Sequence, residues 1–217
     1  MTTFPGSPRL VKGGVVLVDP SSGRVLRVIS LQYNPDTLTR SLQVKGAGAE
    51  GGDRSEALRL KGPPVETYKL EAEIDATDAL AAGDVGALSR GIHAELATLE
   101  LLVYPSTAQL SRLDAQAGAG VLEVAPMEAP LTLFVWSEHR IVPVRITELS
   151  ITEEAFDPNL NPIRAKVSLG LRVLSVDDLG FRHKGGSLYM IYQQQKERLS
   201  SLSATASLAS LGIAGLL

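Results

Sequence analysis

The chain has 217 residues, 44% apolar and 21% charged, with no cysteine and a formal net charge of −3. That length supports one good core, with or without a tail, and the missing thiols exclude disulfides, thiolate nucleophiles, iron–sulfur clusters and thiolate zinc sites. The mild negative charge gives no global drive toward nucleic acid or anionic lipid, and aromatics at 5% leave no stacking platform for single strands.

Residues 1–12 carry Pro5, Gly6 and Pro8 and read as an extended arm. The arm has no apolar core of a leader and no small-residue cleavage site, so a cytoplasmic protein without a secretory signal is expected. Gly14 to Asp19 is a short apolar run closed by the turn Pro20 to Gly23. Arg24 to Asn34 is a second strand, ended by Asn34-Pro35-Asp36. Leu38, Arg40, Leu42 and Val44 then alternate with Thr39, Ser41 and Gln43 as a third.

From Gly46 to Pro64 glycine and charge dominate, and neither a helical nor a strand period survives. So long a loop is either a solvated hairpin tip or functional. The next strand has the clearest alternation. Tyr68, Leu70, Ala72 and Ile74 face one way; Lys69, Glu71, Glu73 and Asp75 face the other. Residues 85–103 predict one helix, with Leu88, Ile92, Leu96, Leu99 and Val103 on its apolar face and Tyr104-Pro105 as its stop. Residues 106–128 read as irregular.

Three long strands follow between Pro130 and Ser175. In the middle one the apolar phase shifts between Ile146 and Leu149, which predicts a bulge near Thr147-Glu148, because a slip of one residue reverses both faces. In the last, Ile163, Ala165, Val167, Leu169, Leu171 and Val173 alternate with Arg164, Lys166, Ser168, Gly170 and Arg172. Leu169 is expected in the core and Arg164, Lys166 and Arg172 on a wetted face. A polar loop then leads to a helical segment from Ser187, with Leu199, Leu202, Ala206, Ala209, Ile213 and Leu216 as a stripe. Residues 199–217 lack charge, but the interspersed Ser and Thr residues suit a docking helix better than a membrane span of about 20 apolar residues. The order of elements argues for a mostly β, α+β chain and against a doubly wound parallel sheet.

No catalytic constellation stands out, and a non-enzymatic chain without a cofactor is expected. His93 lies on a polar helix face, Glu138-His139 in a turn, and His183 beside Arg182 and Lys184 in a loop. No G-x-S-x-G elbow, P-loop or Rossmann glycine spacing is present. Glu153, Glu154 and Asp157 offer oxygen ligands for a hard cation, but Asp157-Pro158-Asn159 and Asn161-Pro162 are first of all turn formers.

Four segments carry a resemblance. LQYNPDTL (31–38), ETYKLEAEIDATD (66–78), ATLELLVYPS (97–106) and the stretch from Phe134 to Leu174 together resemble the tube-type baseplate proteins of contractile, phage-tail-like injection systems. The resemblance implies a tail-tube β-barrel or sandwich of two antiparallel sheets, with one flanking helix over 1–185 and a helical docking tail over 186–217. It further implies a homo-hexameric ring joining the spike hub to the inner tube, as tube initiator or adaptor among other baseplate components. Such a subunit is made in the bacterial cytoplasm, binds no nucleic acid and meets a membrane only through the assembled particle. Many members of that family continue into a peptidoglycan-binding LysM module; with Leu217 as the last residue, that activity is not carried over. The expected interface residues are Gly46, Glu50, Arg54, Arg59 and Lys61 in the loop, Arg164, Lys166 and Arg172 on the strand, and Leu199, Leu202 and Ile213 in the tail. The competing class is a soluble, monomeric β-domain that binds a peptide or small ligand.

Overall fold

A computed structural model of the chain describes residues 11–46, 59–120, 129–203 and 208–211. Seven strands form where period two or an apolar run predicts them: β1 (Gly14–Val18), β2 (Val25–Ser30), β3 (Leu38–Gln43), β4 (Val65–Asp75), β5 (Leu131–Ser137), β6 (Arg140–Phe156) and β7 (Pro162–Val173). The mostly β, α+β class is therefore correct. The division into two sheets is not. All seven strands lie in one antiparallel sheet of order β2-β1-β5-β6-β7-β4-β3. The reason is the length of β6: its 17 residues pair with β5 at one end and with β7 along most of the rest, so hydrogen bonding never breaks. The register shifts between Ile146 and Glu148, where the change of apolar phase places a bulge.

The single sheet is strongly curled. β4 and β5 are separated by β7 and β6 in the sheet, which in a flat sheet would put them about 14 Å apart. Yet the rings of Tyr68 and Phe134 lie 5.4 Å apart across the interior. Into that concavity point Tyr68, Leu70, Ala72 and Ile74 of β4, Ala165, Val167, Leu169, Leu171 and Val173 of β7, and Val142 and Val144 of β6, all buried. Both strand faces read from the sequence are thus correct, and Leu169 is 1% exposed.

The helices are α1 (Thr77–Ala81), α2 (Val85–Arg90), α3 (His93–Glu100), α4 (Thr107–Gly118), α5 (Val176–Leu179) and α6 (Lys184–Ser201), with a 3-10 turn at Leu208–Leu211; α2, α3 and α6 send buried residues into the core of the curl. Two expectations need correction. The single helix over 85–103 is broken at Gly91, whose φ of 55° suits glycine and whose missing Cβ makes room for the Pro162 carbonyl. Ile92 N–H donates to that same carbonyl at 2.9 Å, pinning the break to the β6–β7 corner. Ile92, Leu96 and Leu99 remain buried, whereas Leu88 and Val103 fall outside and are exposed. The second correction is α4, in a stretch read as irregular. Ser106 caps it, accepting from Gln109 N–H while Gln109 Oε1 accepts from Ser106 N–H.

α6 begins at His183, whose Nδ1 accepts from Gly185 N–H, and packs most heavily on β6 and α5. Its Tyr189 and Tyr192 belong to the same core cluster as Tyr68 and Leu171. A smaller cluster of Val18, Leu131 and Leu133 packs with Val16, Leu179 and Leu188.

Candidate interaction surfaces

The two sheet edges carry exposed aliphatic side chains. On β2, Val25 is 55% and Val28 65% exposed; on β3, Leu42 is 51% exposed and Val44 just beyond it is exposed as well. Each strand has six residues and a neighbour on one side only. A row of unpaired N–H and C=O groups flanked by aliphatic side chains is a template for another strand. Past β3 the hairpin continues: Gly46 bridges Leu60, and Lys61 N–H donates to the Lys45 carbonyl. Gly46, Arg59 and Lys61 are exposed where the long loop leaves this edge. Glu50 and Arg54 lie outside the described residues.

The basic row of β7 faces solvent, but its charges are matched. Arg164 Nε donates to Asp75 Oδ2 at 2.8 Å and lies 3.7 Å from Glu73; Lys166 Nζ meets Glu154 at 2.8 Å; Arg172 donates to Asp178 at 2.7 Å. The acidic partners come from β4, the far end of β6 and α5. The outer face is therefore a set of alternating charged rows, not a basic patch. These partners raise the pKa values of Arg164 and Lys166, Asp75 being the main cause for the first and Glu154 for the second.

Of the predicted tail residues, Leu199 is exposed in the last turn of α6 and Leu202 just after it. Ile213 lies outside the described residues. No helix among the described residues is long and apolar enough to cross a membrane.

Of the carboxylates near the β6–β7 corner, Asp157 acts as a turn former. Asp157 accepts from the N–H groups of Asn159 and Asn161 and from the Asn161 side chain, which hold its carboxyl below the usual aspartate range. Glu154 is committed to Lys166. Among the described residues no group of three or more His, Asp or Glu could hold a metal ion.

One polar cluster escaped the sequence reading. Glu66 stands in phase with the inward row of β4 and is only 2% exposed. Its Oε1 accepts from the hydroxyls of Tyr68 and Tyr192, each at 2.7 Å, while Oε2 accepts from Lys196 Nζ at 2.9 Å. The hydroxyls are themselves 2.8 Å apart, and Arg40 Nη1 lies 4.0 Å from Oε1. Two hydroxyl protons serve three close oxygens, so both are drawn to the carboxylate. Burial raises the Glu66 pKa, but Tyr68, Lys196 and Tyr192 outweigh it and leave the group below its ordinary value. Burial, followed by the neighbouring Tyr68 and Glu66, pushes the Tyr192 hydroxyl far up. The available signal was an acid on the inward row of a strand, with Tyr189, Tyr192 and Lys196 spaced along one side of a helix.

A cleft of about 550 Å³ lies between the α3–α4 corner, the start of β5 and residues 144–146 of β6, walled by Leu17, Leu101, Tyr104, Leu131, Ile146 and Leu179 among others.

No family model matches the chain, and no curated protein matches it. Among solved structures it is similar to a chain of the tail of an empty GTA particle with C6 symmetry, at 13% identity over 75% of this chain and 90% of that one, with a TM-score of 0.28. It is also similar to a chain of the virion of the native gene transfer agent particle, at 12% identity over 74% and 90%, with a TM-score of 0.26. Neither likeness is close enough to carry a fold or a function over to this chain.

Proposed function

We propose that the chain is a structural, non-enzymatic subunit of a phage-tail-like contractile injection system. Six copies form a ring at the baseplate that joins the spike hub to the inner tube, assembled in the bacterial cytoplasm. The observation that carries this reading is the pair of unlike, exposed, aliphatic edges at β2 and β3. Unlike edges pair head to tail, and a head-to-tail contact that closes by rotation makes a ring. The β3–β4 hairpin supports it, since its extension leaves from the tip of an edge strand, where a neighbour would sit. The resemblance of the four segments supplies the number of copies and the place in the particle. Light scattering of the purified chain and electron microscopy of purified particles test the proposal. A six-fold ring between spike and tube is expected; a single copy, or a peripheral decoration, would overturn it.

The second reading, a monomeric binding module, draws on the cleft at the α3–α4 corner, whose volume suits a small ligand. It predicts a monomer at every concentration and a ligand-dependent rise in stability.

A further inference from the structure

We propose that Glu66 is a charge-operated latch for α6: its carboxylate holds the C-terminal half of the helix on the sheet, and neutralising it frees that half while the β domain stays folded.

The two halves of α6 are attached by different means. The first turns are held by close backbone approach, with Gly186 against the Gly180 carbonyl and Gly185 against Leu179 and Leu131, and by the buried ring of Tyr189. Beyond Met190 the only fully buried residue up to Ser201 is Tyr192. Its hydroxyl ends on Glu66. One turn on, Lys196 reaches the other carboxylate oxygen and lies 3.9 Å above the Tyr192 ring. The Gln195 amide to the Glu138 carbonyl is a 3.5 Å contact in an exposed place. From Glu197 to Leu202 the chain is exposed throughout. The grip on this half is thus the buried Tyr192 ring and the one carboxylate on which Tyr192 and Lys196 converge, and everything distal to it overhangs.

Charge is what makes the grip work. Facing Glu66 are Arg40 from β3, Tyr68 from β4, and Tyr189, Tyr192 and Lys196 from α6; Arg140 of β6 lies 5.8 Å over the Tyr68 ring. A carboxylate accepts from all of its donors, whereas a carboxylic acid carries a proton of its own to place, accepts more weakly and has no charge for Lys196 or Arg40. The Glu66 pKa is lower folded than unfolded, so the latch is fully closed above the ordinary value of 4.5 and is lost as pH falls through the folded value. Opening would change the direction in which Leu199 and Leu202 are presented. The inference stands apart from the assembly reading.

Amide hydrogen exchange on the full chain tests it. Glu66→Gln should speed exchange of residues 191–201 by about tenfold or more relative to wild type, with β4–β7 amides unchanged. Unchanged exchange in 191–201 would overturn the latch, as would equal acceleration in β4 and β7, which would mark Glu66 as an ordinary core residue. Lowering the pH from about 6 to about 3, with intrinsic rates corrected, should open the same segment in wild type beyond any change in β4–β7, and should open it markedly less in Glu66→Gln, where only the remaining carboxylates such as Asp178 titrate. The same pH response in both proteins would assign the effect to other groups and sink the proposal. Should Glu66→Gln not fold, Lys196→Met must loosen 191–201 selectively; if it does not, the proposal fails.

Discussion

Gln32 meets Asp75 as a neighbouring strand would: its Nε2 donates to the Asp75 carbonyl at 2.7 Å, and its Oε1 accepts from the Asp75 N–H at 3.0 Å. Gln32 follows β2 at one edge of the sheet, and Asp75 ends β4 near the other. One side chain thus fastens the curl where no strand pairing does. Gln32→Ala removes both bonds and should cost about 1–3 kcal/mol. A urea midpoint within error of wild type would show that the curl needs no such fastening.

Gly91 is a joint where backbone meets backbone too closely for a side chain. A Cβ there would overlap the Pro162 carbonyl oxygen, at a φ that L side chains avoid. Gly91→Ala should therefore destabilise by about 2 kcal/mol or more, combining backbone strain with displacement of the β6–β7 corner. Thermal unfolding reads the effect, and a Tm equal to wild type would show that the helix break is not anchored there.

Leu169 and Lys166 are near neighbours on β7 with opposite tolerance. Leu169→Asp places an unpaired charge in the core and should unfold the domain, at a cost of several kcal/mol. Lys166→Glu turns an exposed pair with Glu154 into repulsion from Glu154, Glu73 and Glu71, which at the surface should cost little and leave circular dichroism unchanged. A soluble, folded Leu169→Asp protein would reverse the assigned phase of the strand.

Acid should weaken the domain through its folded-state carboxylates. Thr77 and then Arg164 hold Asp75 below the ordinary 3.8, outweighing burial. Burial raises Asp178, but Ser175 and Arg172 bring it below the same value. A depressed folded pKa gives stability that is fully present above the unfolded value and lost as pH falls through the folded one. Urea midpoints should be level between about pH 7 and pH 5 and fall by about pH 3. A midpoint that rises on acidification would contradict these assignments.

Edge variants separate folding from assembly. Val28→Lys on β2 or Leu42→Lys on β3 alters an exposed position and should change stability by no more than about 0.5 kcal/mol. A lysine on an edge opposes strand addition, so either variant should abolish incorporation into particles. Normal rings from both would remove the edges from the interface.

What the sequence determined by itself is local. Strands β4 and β7 each have one core face, so alternation along the chain names Tyr68, Leu70, Val167 and Leu169 as interior without knowledge of any partner. The bulge near Glu148 was equally legible, since a phase change within an apolar strand has few other causes. The cap of α4 was present in Ser106 and Gln109, but a mostly polar helix after a Tyr-Pro stop has little apolar period to betray it. The rest required contacts between distant segments. Continuity of one curled sheet depends on how far the 17 residues of β6 reach and on Gln32 finding Asp75. The break at Gly91 depends on a carbonyl from the β6–β7 corner. The buried charge of Glu66 is tolerable only because α6 brings Tyr192 and Lys196 to it. Periodicity records which face of an element avoids water; which elements then meet, and which buried charge they satisfy, is decided by packing in three dimensions.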